Sequence, residues 1–202
     1  MTIQINQEIY DECLFLSRLV YYDVEGLYPQ PFDKCLTYEG KFTGLKMNIF
    51  NMSEYYIVVL CGTNGFNDVI ADIKVGLGIV PKQLHRAITM IERLDSKPIV
   101  FVGHSLGGFL AAMLHSRFKE KSCAICLNPC GYRHLLPSEN GLNILNILTK
   151  HDILNNITKS IPFAKKYMQL LGEVTVVEDR YWFPLSVKAH SDFVSMTKYK
   201  SC

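Results

Sequence analysis

Apolar residues recur at helical spacing over residues 6–22, where Ile9, Cys13, Leu16, Leu19 and Val20 share one face. Residues 41–50 instead alternate, with Phe42, Leu45, Met47 and Ile49 on one side, and predict a strand. A turn-like stretch, 51–54, separates it from the β-branched run 55–61, so the two strands read as a hairpin. Gly62–Gly65 ends it. Helical periodicity returns over 81–94, with Pro81 suited to a first turn and Leu84, Ile88, Ile91 and Leu94 as the apolar stripe. A short apolar strand (98–102), a helix (106–118) and further strands (122–127 and 142–149) follow. The pattern closes with a helix over 161–171, a strand over 173–178 and a helix over 190–199.

Strands alternating with helices predict an α/β fold, with a mostly parallel central sheet and helices on both faces. Runs such as IVVLCG and IVFVG are apolar throughout, as strands buried on both sides require. No linker, repeat or low-complexity segment divides residues 1–202, so a single domain is expected. In such sheets the active crevice lies beyond the carboxyl ends of the strands.

Composition narrows the function classes. With 21 Lys+Arg against 19 Asp+Glu, the net charge of +2 leaves no footprint for nucleic acid. The amino-terminal stretch lacks a basic region followed by an apolar one, and no apolar run reaches the ~18 residues of a membrane span. A cytoplasmic protein is expected, with transient contact to a lipid surface left open. Seven cysteines without an export signal read as free thiols. Cys123, Cys126 and Cys130, with His134 nearby, have the look of a metal cluster. On a strand, however, Cys123 and Cys126 would face opposite ways, so no metal or other cofactor is expected.

The chemistry concentrates at Gly103-His104-Ser105-Leu106-Gly107, a G-x-S-x-G run between a buried strand and a helix. A serine on a sharp strand-to-helix turn is exposed as a nucleophile, and glycines two residues to either side let strand and helix approach. The alternative is a glycine-rich turn that only packs, or one that cradles phosphate; the absence of G-K-[ST] and G-x-G-x-x-G disfavours the latter. The helix amino terminus offers the backbone N–H of Leu106 to an oxyanion.

A serine hydroxyl needs a base, and the base an orienting carboxylate, in the chain order Ser, Asp/Glu, His. His115 lies too far along the helix after Ser105. His134 and His151 precede most candidate acids. His190, in VKAHSDF, has the right order and opens the last predicted helix. Asp152 stands just past the strand LNILNILT, at its carboxyl end and on the edge that carries Ser105; Glu178 and Asp179 are its rivals, and Asp192 is too close to His190. A turn or helix-capping role is the alternative for Asp152. The second oxyanion donor should follow an earlier strand, which points to the N–H of Thr63 in CGTNG; an ordinary turn is the alternative there.

These residues resemble the class 3 (fungal and plant type) lipases of the α/β-hydrolase superfamily. IVVLCGT is similar to that family's strand ending in Arg-Gly-Thr/Ser, residues 67–72 (NDVIAD) to its following aspartate-containing stretch, and IVFVGHSLGG to its nucleophile segment. LSRLVYYD resembles its first helix. The resemblance implies a lipase or carboxylesterase with Ser105 as nucleophile, Asp152 as acid, His190 as base, and Thr63 and Leu106 as oxyanion donors. Cys61 stands where the family has arginine, and ILNNITKSIP replaces its proline-rich run after the acid. His190 comes only 38 positions after Asp152, which argues for a compact fold with little or no lid and for small or partly soluble esters.

The expected function is therefore a serine hydrolase of carboxylic, lipid acyl esters. Thioesterase and phospholipase chemistry use the same triad, and a catalytically silent hydrolase fold that binds a ligand or protein is the rival from another class.

Overall fold

The structure, a computed structural model, describes residues 3–21, 33–39, 46–61, 82–131, 141–154, 156 and 169–179. Helix α1 (Gln7–Tyr21) is followed by the strands β1 (Asp33–Glu39), β2 (Lys46–Asn51) and β3 (Tyr56–Leu60). Helix α2 (Lys82–Ile91), strand β4 (Ile99–His104) and helix α3 (Leu106–Phe118) come next, and a 3-10 turn (Lys119–Lys121) leads into β5 (Ser122–Leu127). β6 (Ile144–Thr149) and β7 (Glu173–Val177) complete the described elements. All seven strands form one sheet in chain order, β1 to β7. β1, β2 and β3 pair antiparallel, and each pair from β3 to β7 is parallel.

The expected α/β class therefore holds, and so does the β2–β3 hairpin, closed where the N–H of Met52 donates to the carbonyl of Tyr55 at 2.9 Å. β1 escapes the sequence pattern: DKCLTYE begins and ends in charge and has too few alternating apolar positions to register. β4 runs on to His104, two residues past the expected end, because His104 still pairs with Leu127. α2 stops at Ile91, and its last apolar position, Leu94, lies in a tighter turn whose N–H donates to the carbonyl of Ile91. Of the helix expected over 161–171, residues 161–168 lie outside the described residues and 169–171 are not helical; the helix over 190–199 also lies outside them.

Strand order that advances one step at a time puts right-handed crossovers on a single face. α2 and α3 accordingly cover the same side, where Leu84, Ala87 and Ile91 meet Leu110, Leu114, Val58 and Phe101. Among the described residues the other face is covered by α1, which buries Tyr10, Cys13, Leu16 and Val20 against Val59, Val102 and Ile125. β3, β4, β5 and β6 are buried at every position, which is why they read as continuous apolar runs. Cys123 and Cys126 belong to opposite cores, as strand alternation requires.

Candidate active site

Ser105 stands between the last residue of β4 and the first of α3 with φ 58° and ψ −124°, a backbone conformation that costs a non-glycine residue about 1–3 kcal/mol. Both its backbone groups are engaged. Its N–H donates to the carbonyl of Leu127 at 3.0 Å, and its carbonyl accepts the N–H of Phe109 at 3.2 Å. The elbow is thereby hung from β5 on one side and closed into α3 on the other.

The two glycines are required by contact. A Cβ on Gly103 would stand 2.3 Å from the backbone of Gly107, and one on Gly107 would stand 2.0 Å from the carbonyl oxygen of Leu60. Gly108 is tight as well, since a Cβ there would stand 3.0 Å from both the Gly103 oxygen and the Pro129 Cβ. α3 thus starts directly against the carboxyl ends of β3 and β4. Leu106 opens α3, where an N–H has no acceptor inside the helix and is directed at whatever lies beyond its amino terminus.

Asp152 is fully buried just past the carboxyl end of β6, on the sheet edge that carries Ser105. Its N–H donates to the carbonyl of Thr149 at 3.1 Å, and its own carbonyl accepts the N–H and Nδ2 of Asn156. The rival acids have other engagements. Glu178 lies on the surface, paired with the Lys150 Nζ at 3.0 Å. The Asp179 carboxylate is buried and holds His151 twice, through the backbone N–H at 2.8 Å and through Nδ1 at 2.9 Å. That His151–Asp179 pair is not evident in the sequence, because it joins residues 28 positions apart, just past the ends of two different strands.

His115 turns to the opposite edge. It is buried, its Nδ1–H donates to the Ser122 Oγ at 2.9 Å, and its Nε2 accepts the N–H of Asn143 at 2.9 Å. The tautomer follows because the Ser122 hydroxyl spends its proton on the carbonyl of Phe118. Burial pulls the His115 pKa down from 6.5 to about 4. His190, Thr63, His134 and Asp192 lie outside the described residues. Among the described residues no three His, Cys, Asp or Glu side chains come together to hold a metal ion, and no helix is long and apolar enough to cross a membrane.

A strained serine at a strand–helix elbow and a buried aspartate therefore stand on the same edge of the sheet. A family model described as phospholipase-like, Tle-like phospholipase domain, matches residues 16–134, more than half of the chain. The chain belongs to that family. It is a lipase-like ester-hydrolase domain, and its fold is shared with solved fungal lipases at low sequence identity. A Rhizomucor miehei lipase, solved as its propeptide complex, superposes with a TM-score of 0.60 at 14% identity, over 87% of this chain and 70% of that one. A triacylglycerol lipase from Penicillium expansum gives 0.57 at 15%, over 84% and 77%. Lipase II from Rhizopus niveus gives 0.58 at 12%, over 88% and 82%. A comparison with curated proteins finds no significant match.

Proposed function

We propose that this Tle-like domain hydrolyses acyl esters of glycerophospholipids by two-step acyl transfer. The observation that carries the reading is Ser105 held at φ 58° at the mouth of α3, in a chain of the phospholipase-like family. Ser105 attacks the ester carbonyl while His190 accepts its proton. Asp152 holds His190 in the productive tautomer and stabilises the imidazolium. The tetrahedral oxyanion is met by the N–H groups of Leu106 and Thr63, each worth about 3–4 kcal/mol in comparable sites. His190 then protonates the leaving lysolipid alcohol, and water repeats the cycle on the acyl-enzyme.

Labelling by a fluorophosphonate, set beside turnover of short-chain phosphatidylcholine and of a triacylglycerol, tests the proposal. Labelling and phosphatidylcholine turnover that both vanish in Ser105→Ala are the expected result. An unlabelled native protein would instead favour a silent hydrolase fold that binds a ligand. Preferential turnover of the triacylglycerol would keep the triad and overturn the substrate class.

The 2.9 Å contact between His151 and Asp179 favours one second reading, in which that pair supplies base and acid. The N–H of His151 also donates to the same carboxylate, which suits a clamp on the turn rather than a base free to reach Ser105. His190→Ala without activity beside an active His151→Ala would retire the second reading, and the reverse pattern would establish it.

A further inference from the structure

We propose that Asn128 is the positioning residue that sets the acid Asp152 against Ser105; the inference rests on Asp152 being the acid. The carboxyl end of β5 touches both halves of the site through consecutive residues. The carbonyl of Leu127 accepts the N–H of Ser105 at 3.0 Å. Asn128, fully buried and left-handed at φ 42°, carries the other half. Its N–H donates to the carbonyl of Ile147 at 2.9 Å, which adds one rung to the β5–β6 ladder.

In a parallel ladder the next rung would run from the N–H of Thr149 to the backbone carbonyl of Asn128. The left-handed turn takes the chain off that course toward Pro129. The side-chain carbonyl stands in its place: Oδ1 accepts the N–H of Thr149 at 2.8 Å, and Nδ2 donates to the Thr149 Oγ1 at 3.1 Å. Thr149 in turn holds Asp152, whose N–H donates to the Thr149 carbonyl at 3.1 Å. Ser105 and Asp152 are therefore spaced by one short relay through Leu127, Asn128 and Thr149. Asparagine suits the position on two counts. It tolerates the left-handed region, and its amide offers a donor and an acceptor on one plane.

Steady-state kinetics with p-nitrophenyl butyrate, with Tm measured alongside, test the relay. Asn128→Gly keeps the left-handed backbone and removes the amide. A displaced acid no longer supports the imidazolium, so the base titrates lower. The expected result is a kcat at least about tenfold lower with KM within about twofold, and an acid limb of the pH–rate profile moved to lower pH. Asn128→Asp, which returns an acceptor to the N–H of Thr149, should recover most of kcat. Wild-type kcat and acid limb in Asn128→Gly, at a temperature where it is folded and whatever its Tm, would overturn the inference.

If Asn128→Gly fails to fold, Thr149→Val removes the hydroxyl's contacts with the Asn128 amide, from Nδ2 at 3.1 Å and to Oδ1 at 3.4 Å, and keeps the N–H bond to Oδ1. A kcat lower by about threefold with the same direction of pH shift is then expected, and unchanged kinetics overturn the inference. Asp152→Asn separates the two levels. Activity retained there defeats the assignment of the acid, and activity lost there beside a wild-type Asn128→Gly defeats the relay alone.

Discussion

The second residue of α3, Gly107, lies so close to β3 that an added Cβ would stand 2.0 Å from the carbonyl oxygen of Leu60 and 3.0 Å from the backbone of Cys61. Neither neighbour can yield, since Leu60 is paired in the sheet with Gly103 and Met47. The helix must withdraw instead, and Ser105 with it. Gly107→Ala should cost on the order of 3–4 kcal/mol in urea unfolding and slow fluorophosphonate labelling in the fraction that folds. Gly108→Ala meets nothing closer than 3.0 Å, one of its neighbours being a side chain, and should cost visibly less. Equal stability of the two variants would contradict the contact argument.

His115 makes stability depend on pH in a defined window. Its pKa is about 4 in the fold, pulled down from 6.5 by burial, so between those values the unfolded chain binds the extra proton. Stability therefore rises with pH from about 4 to about 6.5, and the full contribution is about 3 kcal/mol. Protonation would also set an Nε2–H against the N–H of Asn143, its present donor. Urea midpoints of the wild type and His115→Gln should converge as pH falls through this window. A gap between them that does not change with pH would show that the histidine titrates normally.

The elbow was legible in the residues because its requirements are local: a buried run, a serine and two glycines within five positions, then an apolar helix. The relay through Asn128 was not. Asn-Pro after a strand reads as a turn, and its partner Thr149 is 21 residues away. The acid turn shows the same limit. Lys150, His151 and Asp152 are three polar residues in a row, and only burial tells which one faces inward. Sheet order explains a further gap. Nothing in DKCLTYE announces β1, whose pairing with β2 carries a register shift between Lys34 and Leu36.

Thiol chemistry gives a third outcome. Cys13 and Cys123 lie in the same core under α1, and burial comes first among the causes that push both thiols up, Cys123 to about 12. Thiolate is scarce at either position at pH 8, and both side chains are fully covered. Iodoacetamide at pH 8 should leave the peptides that contain Cys13 and Cys123 unmodified in the native protein and alkylate both in urea. Rapid native modification of either would mean that α1 opens from the sheet on the labelling timescale.

Tyr55 ties α1 to the start of β3 by donating its hydroxyl to the Glu12 carboxylate at 2.6 Å, far from Ser105 at the other edge of the sheet. The phenol is held protonated, first by burial and then by that bond. Tyr55→Phe should cost about 1.5 kcal/mol, as expected for a bond to a charged acceptor, and leave kcat unchanged. A lowered kcat would couple this edge to catalysis and argue against the separation of the two ends.

Three carboxylates at one end of the sheet should answer to three different measurements. Glu178 makes an exposed pair with Lys150, so Glu178→Gln should change stability by about 0.5 kcal/mol or less and leave activity as it is. Asp179 is buried and satisfies two donors of His151, so Asp179→Ala should lower stability by about 1–3 kcal/mol per donor left without a partner, with a smaller effect on kcat than on Tm. Asp152 is buried on the edge beside the elbow, and Asp152→Asn keeps its volume while removing its charge. It should lower kcat by about 10⁴ while Tm moves little. Exchange of the last two patterns, with Asp179 governing kcat and Asp152 governing Tm, would transfer the acid's role to the His151–Asp179 pair.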